Sequence, residues 1–335
     1  MQLKTFFQSS LVFNSYLIGY KGRGESILVT LEADDEIVFS GVIDSYELKN
    51  NNETINLLEK LKIKELDFLC WSHHHDDHTK GFLNIMNAHV TKKTRLIYPQ
   101  NVNMLKEHSE ITQKIADEIS KIAAYDLRKK DKPKIHPIGN YRPLLSQILE
   151  YTPGKTSTYK NESNAYKFMV EAFTPVSEVI ENRKITEKSH NSNDYSVSLL
   201  IKIGKASFFY ASDIQDVTIQ LMETEYLPEK IDYVKIPHHA SKHSLKLLKL
   251  QQFSRLQEKK SNVACTSEYI NSRLPDQEVI NEYNLYFPEI YVTGQEGNYG
   301  HDFGIIHTEY NVLTGKFTTN LERNAYKIHS NITIH

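Results

Sequence analysis

Cysteine is nearly absent, with two in 335 residues. Cys70 and Cys265 each sit inside an apolar run, which excludes a disulfide framework and a thiolate metal site and reads as two buried core residues. Charge of one sign is also lacking: 40 Lys and Arg stand against 42 Asp and Glu, for a net charge of −2. No global field collects polyanions, so contact with nucleic acid would need a local basic patch. Long hydrophobic runs are missing. No stretch approaches a membrane span, and Met1-Gln2-Leu3-Lys4-Thr5-Phe6-Phe7 carries no apolar segment of signal-peptide length, so the expected compartment is the cytoplasm, without membrane contact. There is no internal repeat, low-complexity segment or interdomain linker. What is present, 39% hydrophobic and 24% charged residues, suits a folded chain with a sizeable core. The length favours one domain over residues 1–335, with a helical and basic insertion at about 100–165, rather than two domains.

The opening third alternates short β-rich runs with turn residues. Leu11 to Ile18, Ser26 to Glu32 and Ile37 to Ile43 read as strands, separated by Lys21-Gly22-Arg23-Gly24 and Asp34-Asp35, and so predict a hairpin-built sheet. Ile55, Leu58 and Leu61 recur at helical spacing over 53–61 and lead into an apolar strand at Leu66, Phe68, Leu69 and Cys70. A helix is expected after Gly81, a strand around Leu96-Ile97-Tyr98, and an amphipathic helix where Ile111, Ile115, Ile119 and Ile122 form a core-facing stripe. Residues 128–160, with Arg128, Lys129, Lys130, Lys132, Lys134, Arg142, Lys155, Lys160 and several prolines, read as a solvated connector. Strand patterning returns at 167–173 and 195–211, and helices are expected at 244–256 and 276–284.

Chemistry concentrates in Trp71-Ser72-His73-His74-His75-Asp76-Asp77-His78-Thr79-Lys80-Gly81, which follows the strand ending at Cys70. Read as H-x-H-x-D-H, it sets His73 and His75 on one side and Asp77 and His78 on another, so one loop can serve two metal ions. Imidazole with carboxylate suits zinc, manganese or iron. Three more strands end in polar residues of the same kind: Val42-Ile43 in Asp44, Phe208 to Ser212 in Asp213, and Asp232 to Pro237 in His238-His239-Ala240-Ser241. A lone carboxylate such as Asp213 is placed to bridge two cations. Such a pair, about 3.5 to 4 Å apart, lowers the pKa of bound water from about 15.7 towards roughly 7 and supports hydrolysis.

These residues together resemble the metallo-β-lactamase superfamily over about residues 11–310. The resemblance implies an α+β fold, the αββα four-layer sandwich, with the site at the edge between the sheets and two divalent ions, zinc first and manganese as the alternative. It makes Asp44 the acid that orients the loop, His73 and His75 ligands of a first metal, Asp77 and His78 ligands of a second, Asp213 the bridge and His239 the last ligand. His190 completes the first site unless Asn193 or Asp194 takes its place. His74 points away, and His89, His108, His136 and His301 read as ordinary surface or packing residues. Within the superfamily, Gly22-Arg23-Gly24-Glu25-Ser26, Asn193-Asp194-Tyr195-Ser196-Val197 and His238-His239-Ala240-Ser241 are similar to motifs of the competence DNA-uptake (ComEC-type) nuclease domain and its phage-defence relatives. Ala240 stands where that pattern has glycine.

The implied activity is a phosphodiesterase or nuclease in antiviral defence, with a nucleic acid or other phosphodiester substrate and protein partners encoded beside it. Asp77, His238 and Asp44 are then the catalytic residues, with His238 or His243 protonating the leaving oxygen. Lys235, Lys242 and the Arg128–Lys134 stretch would position a polymer backbone. The alternatives are a lactamase or thioesterase-type hydrolase, and a non-catalytic or partner-dependent subunit on the same fold.

Overall fold

The computed structural model describes residues 6–100, 109–124, 132–152, 165–186, 191–254, 262–294 and 300–328. In chain order the first half runs β1 (Phe6–Phe7), β2 (Leu11–Gly19), β3 (Glu25–Ala33), β4 (Glu36–Ile43), α1 (Glu53–Lys60), β5 (Phe68–Cys70), α2 (Asp76–Thr79), α3 (Phe82–His89), β6 (Arg95–Pro99), α4 (Glu110–Ala124) and β7 (Lys134–Ile138). It continues with β8 (Arg142–Tyr151), β9 (Ala165–Ala172), α5 (Ser177–Thr186), β10 (Leu199–Ile203), β11 (Ala206–Tyr210), α6 (Asp216–Leu221), β12 (Tyr233–Lys235), α7 (Gln251–Ser254) and β13 (Val263–Thr266). Then come α8 (Gln277–Asn284), β14 (Glu289–Val292), β15 (Gly304–Asn311), β16 (Lys316–Arg323) and β17 (Tyr326–Lys327).

Two sheets result, in the orders β16-β15-β2-β3-β4-β5-β6-β7 and β1-β8-β9-β10-β11-β12-β13-β14-β17. Both are mixed: β4 to β7 run parallel in the first sheet and β11 to β14 in the second, which also has β1 parallel to β8 and β17 antiparallel to β14 at its two edges. Parallel strands present their carboxyl ends along one edge, where side chains of the following loops converge. Their interiors are covered on both faces, which is why β5 reads FLC and β12 YVK with every position buried.

Three apolar clusters define the layers. Phe13, Leu31, Phe68, Phe168, Ile201 and Phe208, among others, fill the space between the sheets. Leu28, Trp71, Phe82, Ile85, Ile115 and Ile119 pack α1, α3 and α4 on the outer face of the first sheet. Ile219, Leu247, Val279, Ile280 and Tyr283 pack α6 and α8 on the outer face of the second. Helix, sheet, sheet, helix is the αββα sandwich that the resemblance implied. Cys70 and Cys265 are buried and free, as expected. Among the described residues, no helix is long and apolar enough to cross a membrane.

Two expectations need correction. Residues 134–151 are strand, not solvated connector: β7 pairs with β6, and β8 lies between β1 and β9. Prolines masked them. Pro137 sits in the edge strand β7, where a missing N–H costs no ladder bond, and Pro143 falls at a register shift of β8. The helix expected at 244–256 is a tight 3-10 segment, Lys242–Lys249, followed by the short α7, with the remainder outside the described residues.

Candidate metal centre

Four strand ends build the site. Asp44 follows β4, the His73–His78 loop follows β5, Asp213 follows β11, and His238-His239 follow β12. At three of these ends the backbone turns through left-handed residues: Asp44 at φ 58°, Ser212 at 49°, and His238, His239 and Ala240 at 49°, 50° and 63°. Such residues cost roughly 1–2 kcal/mol each and persist where surrounding contacts over-determine them. Here His238 N–H donates to the Ser212 carbonyl at 2.9 Å and Asp276 N–H to the Ala240 carbonyl at 3.2 Å, locking the turn. Ala240 therefore adopts the conformation for which the related motif uses glycine.

Two donor groups form and share one carboxylate. His73, His75 and Asp213 make the first; Asp77, His78, Asp213 and His239 make the second. His73 Nε2 and His75 Nδ1 face each other at 3.2 Å, and His73 Nε2 lies 3.9 Å from Asp213 Oδ2. In the second group, Asp77 Oδ2 is 3.2 Å from His239 Nε2 and 3.5 Å from His78 Nε2, while Asp213 reaches His78 at 3.5 Å and His239 at 3.6 Å. Ligands about 2.0–2.1 Å from a tetrahedral ion stand about 3.3 Å apart, so these separations fit a metal's donor shell. His78 Nε2 adds a second sign: it is buried, aimed among carboxylates, and has no hydrogen-bond partner.

The protonation states follow from this packing. Burial, with the neighbouring imidazoles of His78 and His75, pushes His73 well below the ordinary imidazole range, and burial also lowers His75. Both are thereby held neutral, the form in which imidazole can bind a metal. Burial opposes ionisation of Asp213, but the adjoining His239, His78 and Lys235 hold its carboxyl well below the usual range. Burial likewise opposes a charge on His78, yet Asp213, Asp77 and Asp44 raise its pKa well above normal. In the metal-free protein a proton occupies the place of a cation there.

Asp44 reaches Ser72 and the His73–His78 loop through three hydrogen bonds. One carboxylate oxygen accepts from Ser72 N–H at 2.6 Å; the other accepts from Ser72 Oγ at 2.5 Å and from His78 Nδ1 at 2.8 Å. Because the Ser72 hydroxyl gives its proton to Asp44, it accepts from His73 Nδ1 at 3.0 Å. Both rings then turn Nε2 toward the cluster, an outer-ligand arrangement that orients metal-binding histidines.

Three residues that sequence reasoning left out of the site complete its surroundings. Glu25, the first residue of β3, and Lys235, the last of β12, form a buried ion pair at 2.6 Å. Ser267 donates its hydroxyl to Glu25 and accepts from His239 Nδ1 at 2.7 Å. Lys235 was expected to meet a polymer backbone; its side chain is 0% exposed, so that role is corrected. Lys242 is exposed but paired with Glu278 at 2.6 Å. The signal for Lys235 was its place in a short parallel strand covered on both faces, where a lysine has no water and needs a carboxylate.

The other expected residues separate. His74 is turned away, with Nε2 on Ser192 Oγ at 2.6 Å. His238 lines the cleft, its ring nitrogens facing Asn193 Nδ2 at 3.3 Å and Gln215 Nε2 at 3.1 Å, and burial lowers its pKa. Asn193 Oδ1 is buried without a partner, and Asp194 joins neither donor group. His190 lies outside the described residues, as do His108 and the Arg128–Lys130 part of the basic stretch. Above the cluster opens a cleft of about 720 Å³ whose walls carry Arg23, Tyr46, Lys80 and Tyr269 together with the N-terminus of α4.

Fold and cluster define a class: an αββα sandwich with a buried His/Asp site, spaced as a metal's donors are, at the edge between its sheets. No family model matches the sequence, and no curated protein matches it. Among solved structures, a new diphosphatase from the PhnP family is similar over 89% of this chain and 98% of its own, at 12% identity and a TM-score of 0.40.

Proposed function

We propose that the chain is a metal-dependent phosphodiesterase acting on nucleic acid, with two divalent ions held through a shared Asp213. The membership of Asp213 in both donor groups is the observation that carries the reading, since a carboxylate common to two metal positions marks hydrolytic two-metal sites. His73 and His75 would hold one ion, and Asp77, His78 and His239 the other. Bound there, divalent metal supplies Lewis acidity toward water and toward a phosphoryl oxygen.

The chain's own residues supply the rest. Arg23 and Lys80, both exposed on the cleft wall, attract a phosphate-bearing substrate. His238, on the same wall, is the proton donor to the leaving oxygen; His243 is not among the lining residues. A role in phage defence, with protein partners encoded beside the chain, rests on the motif resemblance alone.

The test is a panel of single-stranded DNA, duplex DNA, RNA, cyclic nucleotides and a chromogenic phosphodiester with manganese, zinc and magnesium, beside nitrocefin and a thioester. Phosphodiester cleavage that a chelator stops and Asp77→Ala abolishes is expected. Turnover of nitrocefin or the thioester alone would place the chain on the other branch of the superfamily, and silence on every substrate would favour the non-catalytic subunit.

A further inference from the structure

We infer that Glu25, Lys235 and Ser267 form a positioning layer beneath the second donor group: through His239 it determines how tightly that position holds its metal, and through the shared Asp213 it reaches the first position as well. The inference rests on the metal reading of the cluster.

The layer touches two of the four second-group ligands from behind. Lys235 Nζ lies 3.5 Å from Asp213 Oδ1 and 3.3 Å from the Ser212 carbonyl, so an ammonium fixes the carboxylate and the residue before it. Glu25 Oε2 takes the Ser267 hydroxyl proton, which leaves the Ser267 oxygen to accept from His239 Nδ1. His239 Nε2 is thereby left as a lone pair facing Asp77 and Asp213. Glu25 Oε1 also approaches His78 Nδ1 at 3.8 Å.

The arrangement repeats that of Asp44, Ser72 and His73: a buried carboxylate, a serine hydroxyl, then the outer nitrogen of an imidazole. The two differ in what they serve. Asp44 acts on His73 in the first group and on His78 in the second. Through Ser267, Glu25 acts on His239, and its partner Lys235 acts on Asp213.

A buried ion pair is weak evidence for stability in itself, since apolar residues of like volume often serve as well. Lys235 and Glu25 sit at the ends of strands in different sheets, where their useful work is to fix the ligands above them. Outer partners of metal ligands typically change affinity roughly 10–100-fold when removed.

The experiment titrates zinc(II) and manganese(II) into metal-free protein by calorimetry, with elemental analysis for stoichiometry. Ser267→Ala severs the His239 route without changing buried charge. Lys235→Met combined with Glu25→Gln removes the pair together, because Lys235→Met alone would strand a buried carboxylate and risk the fold. Thr94→Val, which removes a buried hydroxyl bond to the Leu66 carbonyl at the opposite end of β5, controls for a general loss of packing.

Two ions in the wild type are expected, with one weakened roughly 10–100-fold and the other unchanged in Ser267→Ala, both weakened in the double variant through the shared Asp213, and neither moved in Thr94→Val. Two ions in the wild type with unaltered binding in Ser267→Ala and in the double variant would overturn the inference while leaving the metal reading intact. Equal weakening of both ions in Ser267→Ala, or an equal effect of Thr94→Val, would overturn it as a general packing effect. No bound ion in the wild type would overturn both.

Discussion

Asp44→Asn tests how the site sets the proton on its histidines. In the native arrangement the Asp44 carboxylate accepts three hydrogen bonds, from Ser72 N–H, Ser72 Oγ and His78 Nδ1, and donates none. Asparagine offers one oxygen and one NH2. For His78 to present Nε2 to a metal, its Nδ1 must keep a proton, so the asparagine oxygen must lie on the His78 side. The NH2 then meets Ser72 N–H, where donor and acceptor now stand 2.6 Å apart. Two donors face each other, and an unmade buried bond costs about 1–3 kcal/mol. The opposite flip relieves Ser72 but sets an NH2 against His78 Nδ1, which favours the tautomer with its proton on Nε2, directed into the donor group. Either way the metal-bound state bears the cost. The expected loss of zinc affinity is therefore roughly 10–100-fold, at about 1.4 kcal/mol per tenfold. The metal-free protein also loses the charge-assisted contact between Asp44 and His78, offset in part because burial holds the Asp44 carboxyl above its usual range. Calorimetric titration reads the affinity, and nitrogen-15 spectra of the zinc-loaded protein read the His78 tautomer. Unchanged affinity, with Nδ1 still protonated in the variant, would refute the reasoning.

Asp213→Asn should reduce zinc from two ions per chain to one or none with the secondary structure intact, and two retained ions would exclude a shared ligand. His238→Gln should lower kcat by at least about a hundredfold, the low end of the usual 10²–10⁴ for a proton donor, with metal content unchanged, because its ring faces Asn193 and Gln215 and not the donor groups; lost metal would refute that placement. Asp67 lies under β5 with its carboxyl raised by burial from 3.8 to about 6. The unfolded chain ionises at lower pH, so Asp67 favours folding fully below pH 3.8, and that contribution is lost as pH rises through about 6. Asp67→Asn, which keeps an acceptor for Ser40 N–H, should raise stability near pH 7 by at most about 3 kcal/mol and leave it unchanged near pH 4. A gain equal at both pH values in thermal melts would refute the assignment.

Much of the site was legible because its ligands follow a local rule, an apolar strand that stops at a histidine or carboxylate. Val42-Ile43-Asp44 and the run from Phe208 to Asp213 obey it within a few residues, and the structure brings those ends to one edge. Glu25, Lys235 and Ser267 obey no such rule. Each is one polar residue beside an apolar strand, and its meaning depends on partners more than 200 residues away, as with Glu25 and Ser267 at a separation of 242. Lysine in such a place looks like surface charge until both faces of β12 are known to be covered. In β7 and β8 the difficulty was opposite: prolines and basic residues imitate a loop, yet the edge strand β7 accepts Pro137 because one side of its ladder is open, and β8 takes Pro143 at a register shift.

The division of ligands between the sheets also orders events in time. His73 and His75 lie two residues apart, and a chain still searching for its fold can bring them together. Asp77 and His239 are 162 residues apart, and nothing places them in contact until both sheets have formed and closed on one another. Long-range closure is the slow part of folding, and because Asp213 stands in both donor groups, neither is complete before both sheets have met. Zinc offered during refolding should thus be captured tightly only as the aromatic residues between the sheets become buried.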